Sequence, residues 1–481
     1  PFRRLETDEA GAPAHDAEAA GRDDTDASAC VGTEEGGAIS SEQAARAVGW
    51  AGLCCAVLAL VLWLLVPALS EFWRSWGGPW AAFRLMDDAP AWTRGVYAAL
   101  AALSVLSPFA VRTGFRAVMA QACETGRAWG MLFRDASATR TLGGVTLAVF
   151  DKTGTLTEGR PSVREVACTR GVTDRGILAW AAAVEAHAAH ALARAVIERC
   201  QRDGISIEAA EDYEPVPGLG GAARKGEATV LVGRPRLLRE RGVDLSEMED
   251  VIAGHQSRGE TVVVVAVNGR LVGALAMHDA LRRDSVRATK LLRALGVRAA
   301  LISGDNKATA TVLAEQAGIE QVVADVLPGD RAYALDQLRS ETIGKTLFVS
   351  ASPEDRGLLA HADAGAALCP GKECGPPEAS VTLTGGALIG VPYAVLLARE
   401  ALSKAMINAV WIVAYHIVAL ALAVLGFIHP AVGVGISTLA WAITHWNARR
   451  LGRFDPEAFG REILERAARR GFTDGWTGAC R

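Results

Sequence analysis

Four stretches of the chain are apolar and almost free of charge: residues 47–69, 96–111, 407–428 and 430–446. A helix rises about 1.5 Å per residue, so roughly 20 apolar residues cross the hydrocarbon core of a bilayer. The pattern therefore predicts an α-helical membrane domain of four helices. The second stretch is only just long enough, and it contains Ser107-Pro108-Phe109, where the proline interrupts the helical hydrogen bonds.

Between these stretches, short apolar runs end in polar side chains. The runs are rich in β-branched residues and cover 145–149, 261–267, 271–275, 298–302 and 346–349. Continuous runs of this length predict buried strands of a parallel sheet. Asp151 follows the first run, and Ser303 and Asp305 follow the fourth. Because ligands bind outside the carboxyl ends of such strands, we expect these side chains to line a site.

Composition narrows the class of protein. Half of the 481 residues are hydrophobic, which favours a membrane protein, and the net charge of −4 gives no support for nucleic-acid binding. Residues 1–45 have few large apolar side chains and many acidic ones, so we expect a disordered acidic tail. The nine cysteines show no disulfide or zinc spacing, which suits a reducing compartment.

The most informative stretch is Phe150-Asp151-Lys152-Thr153-Gly154-Thr155-Leu156-Thr157-Glu158-Gly159. A carboxylate that is ionised at pH 7 can attack phosphorus without an activating base, so Asp151 is a candidate nucleophile. Lys152 adds positive charge. Thr153 and the glycine after it offer a hydroxyl and backbone amides to phosphate oxygens. The alternative is an aspartate that caps a turn.

This stretch resembles the phosphorylation signature of the P-type ATPases, whose aspartate accepts the γ-phosphoryl group of ATP. The resemblance implies an α/β cytosolic part, with an HAD-like Rossmann phosphorylation domain interrupted by an α+β nucleotide-binding domain. It also implies ATP and Mg²⁺ as cofactors, and a bacterial plasma-membrane protein with cytosolic domains. The domains would be the tail (1–45), two membrane helices with a cytosolic extension (46–142), the phosphorylation domain (143–159 and 261–390), the nucleotide-binding domain (160–260), two membrane helices (391–453) and a C-terminal tail (454–481).

The resemblance also assigns roles at the phosphorylation site. Five side chains would hold the phosphoryl group beside Asp151: Lys152, Thr153, Ser303, Asp305 and Arg331. The family has lysine where this chain has Arg331, which keeps the charge but not the shape of the side chain.

The implied Mg²⁺ site would use Asp151, Thr153 and Asp355. After the last strand the family reads Gly-Asp-Gly-x-Asn-Asp, whereas this chain reads Ser350-Ala351-Ser352-Pro353-Glu354-Asp355. Ala351 therefore stands where the family's metal-binding carboxylate should be. Because Mg²⁺ prefers hard oxygen ligands and neutralises charge in phosphoryl transfer, the loss of this carboxylate should be severe.

The implied nucleotide site would use His190, Gly218, Gly220 and Gly233. His190 is the one match to the family's Ser-Glu-His-Pro, and without the family frame we would interpret it as a partly buried surface histidine. The glycines would let the base approach the backbone closely.

In the membrane, the candidates for the transport path are Ser107, Pro108, Tyr415 and His416. Heavy-metal members of the family carry Cys-Pro-Cys or Ser-Pro-Cys at the first position, and here Phe109 cannot coordinate a metal. An ionisable residue in a membrane helix is a functional candidate, but His416 could equally be neutral and bonded across helices.

Two functions remain open. The first is an ATP-driven heavy-metal cation pump that works in membrane lipid; the sequence has no Thr-Gly-Glu actuator loop, so a separate chain could supply one. The second is a catalytically inactive pseudo-ATPase that acts as a nucleotide-binding scaffold or regulator, as Ala351 and Phe109 suggest. A soluble-type phosphatase is a weaker third reading, because Thr153 is not the acid such enzymes use.

Overall fold

The structure is a computed structural model, and it describes residues 41–66, 90–106, 108–371 and 375–469. Within them the helices are α1 (Ser41–Leu65), α2 (Ala91–Val105), α3 (Pro108–Ala128), α4 (Ala136–Gly143), α5 (Asp174–Glu185), α6 (Ala191–Arg202), α7 (Pro235–Glu240), α8 (Glu249–Ser257), α9 (Ser285–Ala294), α10 (Lys307–Ala317), α11 (Arg331–Ser340), α12 (Arg356–His361), α13 (Gly390–Val424), α14 (Pro430–Arg449) and α15 (Pro456–Arg469). The predicted tail lies outside the described residues except where it enters the first turn of α1.

The strands of the described residues are β1 (Met131–Phe133), β2 (Val145–Asp151), β3 (Ser162–Cys168), β4 (Glu211–Val216), β5 (Gly220–Lys225), β6 (Ala228–Gly233), β7 (Thr261–Val267), β8 (Arg270–His278), β9 (Arg298–Ile302), β10 (Gln321–Val323), β11 (Lys345–Ser350), β12 (Ala364–Leu368) and β13 (Val381–Leu383). They form two sheets, one of seven strands and one of six. Each sheet belongs to a different domain.

The apolar helices pack against one another. Helix α2 lies between α1 and the pair α13 and α14. Their shared core is built largely from small side chains, which let helices approach closely: Ala56, Ala101, Ala102, Ala419, Ala423 and Ala440. Two stretches, Arg46–Leu65 and Gly390–Val424, are long and apolar enough to cross a membrane. These two helices are consistent with the predicted membrane part.

The predicted second membrane helix, residues 96–111, is wrong as one continuous element. Helix α2 ends at Val105, Leu106 is extended (φ −68°, ψ 125°), and α3 starts at Pro108. Proline lacks a backbone N–H and suits the first turn of a helix, and the residue before it avoids helical geometry. The proline therefore restarts the helix instead of kinking it. Ser107 lies outside the described residues.

The predicted third membrane helix, residues 407–428, begins too late. Helix α13 has 35 residues and is about 52 Å long at about 1.5 Å per residue. Its first turns are buried against the core of the seven-stranded sheet through Tyr393, Ala394 and Leu397. Arg399 also donates to the backbone oxygens of Gly143 (3.3 Å) and Val145 (2.8 Å). One helix thus runs from the base of β2 into the apolar bundle.

The seven-stranded sheet has the order β1-β13-β12-β11-β2-β9-β10, and every pairing except that of β1 with β13 is parallel. Strand β2 is central and almost entirely buried. Asp151 is level with Ile302 of β9, and Phe150 is level with Val349 of β11. The register therefore brings the ends of β2, β9 and β11 to one edge of the sheet, as the polar residues after the apolar runs predict.

The six-stranded sheet is antiparallel, with the order β3-β8-β7-β6-β5-β4. Helices α5 and α6 cover one face, and α7 and α8 cover the other. This α+β unit is inserted after the β2 loop, which confirms the predicted interruption of the phosphorylation domain.

Two predicted domain boundaries are wrong. Strands β7 and β8 pair with β6 and β3, so residues 261–278 belong to the inserted sheet and not to the returning parallel sheet. Strand β7 is buried on both faces, and a continuous apolar run cannot distinguish such a strand from a parallel one. At the other end, β1 pairs with β13, so the phosphorylation domain starts at Met131 and not at residue 143.

Candidate functional site

The loop after β2 carries the candidate nucleophile. Asp151 is the last residue of the strand, and Gly154 then adopts φ +76°, a conformation that favours glycine. The amide of Gly154 donates to Thr157 Oγ1 (3.1 Å), which itself lies 2.6 Å from Asp279 Oδ2. The loop is therefore closed on itself and tied to the end of β8.

Arg282, which sequence reasoning missed, fixes this loop from outside. Its Nε donates to the carbonyl oxygen of Thr157 (3.1 Å), its Nη1 to Gly386 (2.8 Å), and its Nη2 to Gly154. Ser285 Oγ donates to the Leu156 oxygen (2.8 Å). The sequence could have indicated Arg282 as a charged residue shortly after β8, the strand whose end lies beside the loop.

Asp305, at the end of β9, is held by cations. Lys152 forms an ion pair with its carboxylate, and Thr261 Oγ1 lies 2.9 Å from both partners. Arg234 Nη2 is 3.6 Å from the other oxygen, and the amide of Asp305 donates to Ser303 Oγ (3.1 Å). Burial acts to raise the pKa of Asp305, but Lys152 and Arg234 outweigh it and lower that pKa.

Asp151 shares its cation with a second carboxylate. The guanidinium of Arg331 forms ion pairs with Asp151 and with Asp355 Oδ1, while Asp355 Oδ2 accepts from Ser350 Oγ (2.6 Å). Burial raises the pKa of Asp151 to about 6; Arg331 opposes this shift, and Asp355 reinforces it. Asp151 is thus mostly ionised at pH 7, but its charge is poorly compensated.

The donors around Asp151 do not fit a protein-bound Mg²⁺. Arg331 already occupies the space between the two carboxylates, and Ala351 offers a methyl group and an amide that donates to Thr155 Oγ1 (2.9 Å). Thr153 is exposed in the loop. In the described part of the chain, no group of three or more His, Cys, Asp or Glu side chains could hold a metal. Octahedral Mg²⁺ needs hard oxygen ligands, and here a cation stands among them.

His190 lies in a polar cluster on the inserted domain. Its Nδ1 accepts from the amide of Ala193 (3.1 Å) and caps α6, and its Nε2 is 3.4 Å from Glu185 Oε2. Burial raises the pKa of Glu185 to about 7. The pKa of His190 is lowered by burial and by Arg194. Glu354 of the phosphorylation domain opposes this shift only in part. The prediction did not include Glu185, although an acid at the end of an alanine-rich helix was a usable signal.

The three predicted glycines have packing reasons of their own. Gly220 and Gly233 face each other across β5 and β6, where a Cβ on Gly220 would lie 2.2 Å from the oxygen of Val232. A Cβ on Gly218 would lie 2.7 Å from Cδ of Pro328. The glycine loop therefore touches the phosphorylation domain, and its role in nucleotide binding stays a prediction.

A cavity of about 210 Å³ lies where the two domains meet. It is lined by residues of both domains, among them Leu219, Arg234, Asp305, Asn306, Asp325 and Leu327. The cavity extends from Leu219, which lies between Gly218 and Gly220, to the carboxylate of Asp305, which pairs with Lys152. Its charged lining suits a polar ligand that reaches between the domains.

The transport-path candidates are only partly brought together. The hydroxyl of Tyr415 donates to the oxygen of Val105, at the break between α2 and α3. His416 Nδ1 lies 2.7 Å from the oxygen of Ile412, one turn earlier in the same helix. Pro108 opens α3. His416 is thus hydrogen-bonded within its own helix.

Comparison with known proteins follows the same division of the chain. Residues 145–363 match the family model of haloacid dehalogenase-like hydrolases. Copper-transporting ATPase 1 of Rhizobium meliloti (strain 1021) is 32% identical over 361 residues, which cover 75% of this chain and 43% of that protein. Probable copper-exporting P-type ATPase V of Mycobacterium tuberculosis (strain CDC 1551 / Oshkosh) is 32% identical over 364 residues, which cover 75% and 47%.

Among solved structures, a zinc-transporting PIB-type ATPase in the E2·Pi state is similar. It shares 28% identity with a TM-score of 0.57, over 80% of this chain and 62% of that one. Fold and site thus define the class first: a haloacid dehalogenase-like domain with an inserted nucleotide-binding-type domain, joined to apolar helices. Within that class the chain is a relative of the heavy-metal P-type ATPases, and it spans less than half the length of the curated relatives named here.

Proposed function

We propose that this chain is the catalytic and membrane part of an ATP-driven heavy-metal cation transporter, and that Asp151 accepts the phosphoryl group. One observation carries the proposal: a buried carboxylate stands at the tip of the central parallel strand, in a loop braced by Arg282, with Arg331 beside it. The relatives are named as copper transporters, and the similar structure is of a zinc transporter.

In the proposed reaction, an oxygen of Asp151 attacks the γ-phosphorus of ATP. The bond between that phosphorus and the β,γ-bridging oxygen breaks, and ADP leaves with the electron pair. Arg331 offsets negative charge at the attacking carboxylate. Lys152 is positioned by Asp305, which follows the neighbouring strand β9, and by Thr261 at the start of β7, so that it can meet phosphate oxygens.

The nucleotide would enter between the two domains. We assign its base to the cluster of His190 and Glu185, because Glu185 with a pKa of about 7 is available as a donor or an acceptor. The glycines at 218, 220 and 233 would let it lie close to the backbone. The cavity beside Arg234 would take its phosphates, since a guanidinium binds phosphate oxygens well.

Transport would couple this step to the apolar helices through α13, which Arg399 ties to the base of β2. Tyr415 and the break before Pro108 are the proposed edge of the cation path. An actuator would lie elsewhere on a longer chain or on a separate chain. The setting would be membrane lipid, with the soluble domains in the cytosol of a bacterium.

A second candidate function is nucleotide binding without turnover, as a scaffold or regulator. It is favoured by the methyl group of Ala351 at the tip of β11 and by a cation that already pairs with the nucleophile.

The test is labelling of the purified chain with ATP that carries the label on the γ- or the α-phosphate. The proposal expects an acid-stable, hydroxylamine-sensitive adduct from the γ-label alone. Asp151→Asn should abolish it. Asp336→Asn, which changes an exposed carboxylate paired with His361 on the same domain, should leave it intact. Label that persists in Asp151→Asn would contradict the role of Asp151. Binding of ATP without any label would favour the second candidate.

A further inference from the structure

Arg331 lies at the edge of the parallel sheet, between the carboxylates of Asp151 and Asp355. It is the first residue of α11, directly after the turn Pro328–Asp330, and its side chain is only 18% exposed. Nη2 pairs with Asp151, and Nη1 pairs with Asp355. A guanidinium presents donors in a rigid planar fork, so one side chain can bridge two carboxylates from different strands.

Both carboxylates are already engaged by Arg331. Asp355 has one oxygen on Arg331 and the other on Ser350 Oγ (2.6 Å), and its side chain is 3% exposed. The ammonium of Lys152 is paired with Asp305, and only the backbone amide of Lys152 hydrogen-bonds to Asp151. A divalent ion that bridged Asp151 and Asp355 would have to displace the guanidinium of Arg331.

The tip of β11 offers no replacement ligand. Ala351 follows the strand with a methyl side chain, and its amide is held by Thr155. Ser352 accepts from the amide of Glu354 (3.2 Å), and that glutamate is exposed. Positive charge at this edge therefore comes from the protein itself.

We propose that Arg331 takes the place of a divalent cation at this site. Its guanidinium pairs with Asp151 and Asp355 and donates hydrogen bonds to the oxygens of a bound phosphate, so that the site binds a nucleoside triphosphate without a protein-bound Mg²⁺. The inference rests on the proposed function for the identity of the ligand. It does not depend on whether the phosphoryl group is then transferred.

Arginine suits this role on chemical grounds. It stays charged at every working pH, and two of its five N–H donors on Asp151 and Asp355 leave others for phosphate. Charge-assisted bonds of this kind are short and strong. A lysine would offer a point charge that cannot hold both carboxylates in one plane.

The first measurement is calorimetric titration of the full chain in detergent with Mg²⁺ alone, and then with ATP, once in the presence of EDTA and once in the presence of Mg²⁺. We expect no saturable Mg²⁺ binding and an affinity for ATP that Mg²⁺ does not improve. Arg331→Met should weaken ATP binding by about 10- to 100-fold, as expected for lost hydrogen bonds to a charged group. Arg339→Met, on the same helix and paired with Asp363, is the matched control and should bind ATP normally.

A double variant, Arg331→Lys with Ala351→Asp, places a carboxylate at position 351 and replaces the planar guanidinium at position 331 with an ammonium group. We expect it to gain Mg²⁺ binding by at least about tenfold over the wild-type chain, in line with the effect of metal-site ligand changes. Saturable Mg²⁺ binding to the wild type, or ATP binding that requires Mg²⁺, would overturn the inference even if the double variant does not fold. ATP binding in EDTA without any labelling of Asp151 would keep the inference and reject phosphoryl transfer.

Discussion

Asp151 and Asp305 stand at the tips of neighbouring parallel strands, and both are buried. Asp305 has two cations, Lys152 and Arg234, for one carboxylate. Asp151 has one cation, Arg331, which it shares with Asp355. The pKa of Asp305 is lowered, whereas that of Asp151 is raised to about 6.

The difference distinguishes two carboxylates that share the same position after a parallel strand in the sequence pattern. Asp305 is a fixed anion that positions Lys152, and its charge stabilises the fold. Asp151 carries a charge that the folded protein compensates incompletely, which supports its proposed role as the nucleophile. The incompletely compensated charge of Asp151 lowers the stability of the fold, and such a loss of stability is typical of functional sites. The predictions below separate the two roles by stability, pH and charge balance.

The largest effect is expected from Asp305→Asn. Lys152 would remain buried beside Thr261 without its counter-ion, and breaking a buried pair in this way costs about 3–5 kcal/mol. Thermal unfolding of the purified chain at pH 7.5 should show a clear drop in Tm. Asp336→Asn is the exposed control and should change little. An unchanged Tm in Asp305→Asn would reject its role as a fixed anion.

Asp151→Asn should have the opposite sign. A rise of the pKa from 3.8 to about 6 corresponds to about 3 kcal/mol by which the charged form is disfavoured in the folded protein. The neutral amide removes that penalty, so the variant should unfold at a higher temperature than the wild type at pH 7.5. A lower Tm for Asp151→Asn would mean that Arg331 compensates the charge fully.

The same shift predicts a pH dependence. Because the folded pKa of Asp151 is raised, its stabilising contribution is fully present below its unfolded pKa of about 4 and is lost as pH rises through about 6. The stability difference between the wild type and Asp151→Asn should therefore vanish near pH 4 and be complete above about pH 6. Asp305 has a lowered pKa, so its contribution is present above about pH 4 and is lost only as pH falls further. A constant difference across this range would disprove the assignment to Asp151.

The smallest effect is expected from Asp355→Asn, which leaves Arg331 to pair with Asp151 alone. Asp355 contributes to the raised pKa of Asp151, so its removal should move the pH transition to lower values. The measurement is the same titration of Tm in the Asp355→Asn background. A shift to higher pH would mean that Asp355 mainly holds Arg331 in place.

The sequence predicts much of the fold because its apolar runs are short and end in polar residues. It places Asp151, Ser303 and Asp305 at one edge of a sheet, and the register confirms this edge. It misplaces β7, because a run of valines is buried in the same way in a parallel strand and in the middle of an antiparallel sheet. The start of α13 is also missed, since its buried first turns lie against a domain distant in sequence.

Pairing of charges is the part that sequence reasoning could not supply. Arg331 was expected at the phosphoryl group, but its second bond to Asp355 depends on where α11 begins relative to β11. Arg282 was missed because its partner Gly386 is far away in the chain. Glu185 was missed because its partner His190 lies beyond the break between α5 and α6. The departures from the family motif at Arg331 and Ala351 can be interpreted only when the side chains that surround them are known.

The most direct test is to locate the phosphate after the full chain has reacted with ATP. Borohydride reduces an aspartyl-phosphate to homoserine, and mass spectrometry of the peptide that contains the β2 loop reads the residue at position 151. The account predicts homoserine at this position in ATP-treated protein and aspartate in the untreated control. Unmodified Asp151 after ATP treatment, with or without homoserine elsewhere, would contradict its role as the phosphoryl acceptor.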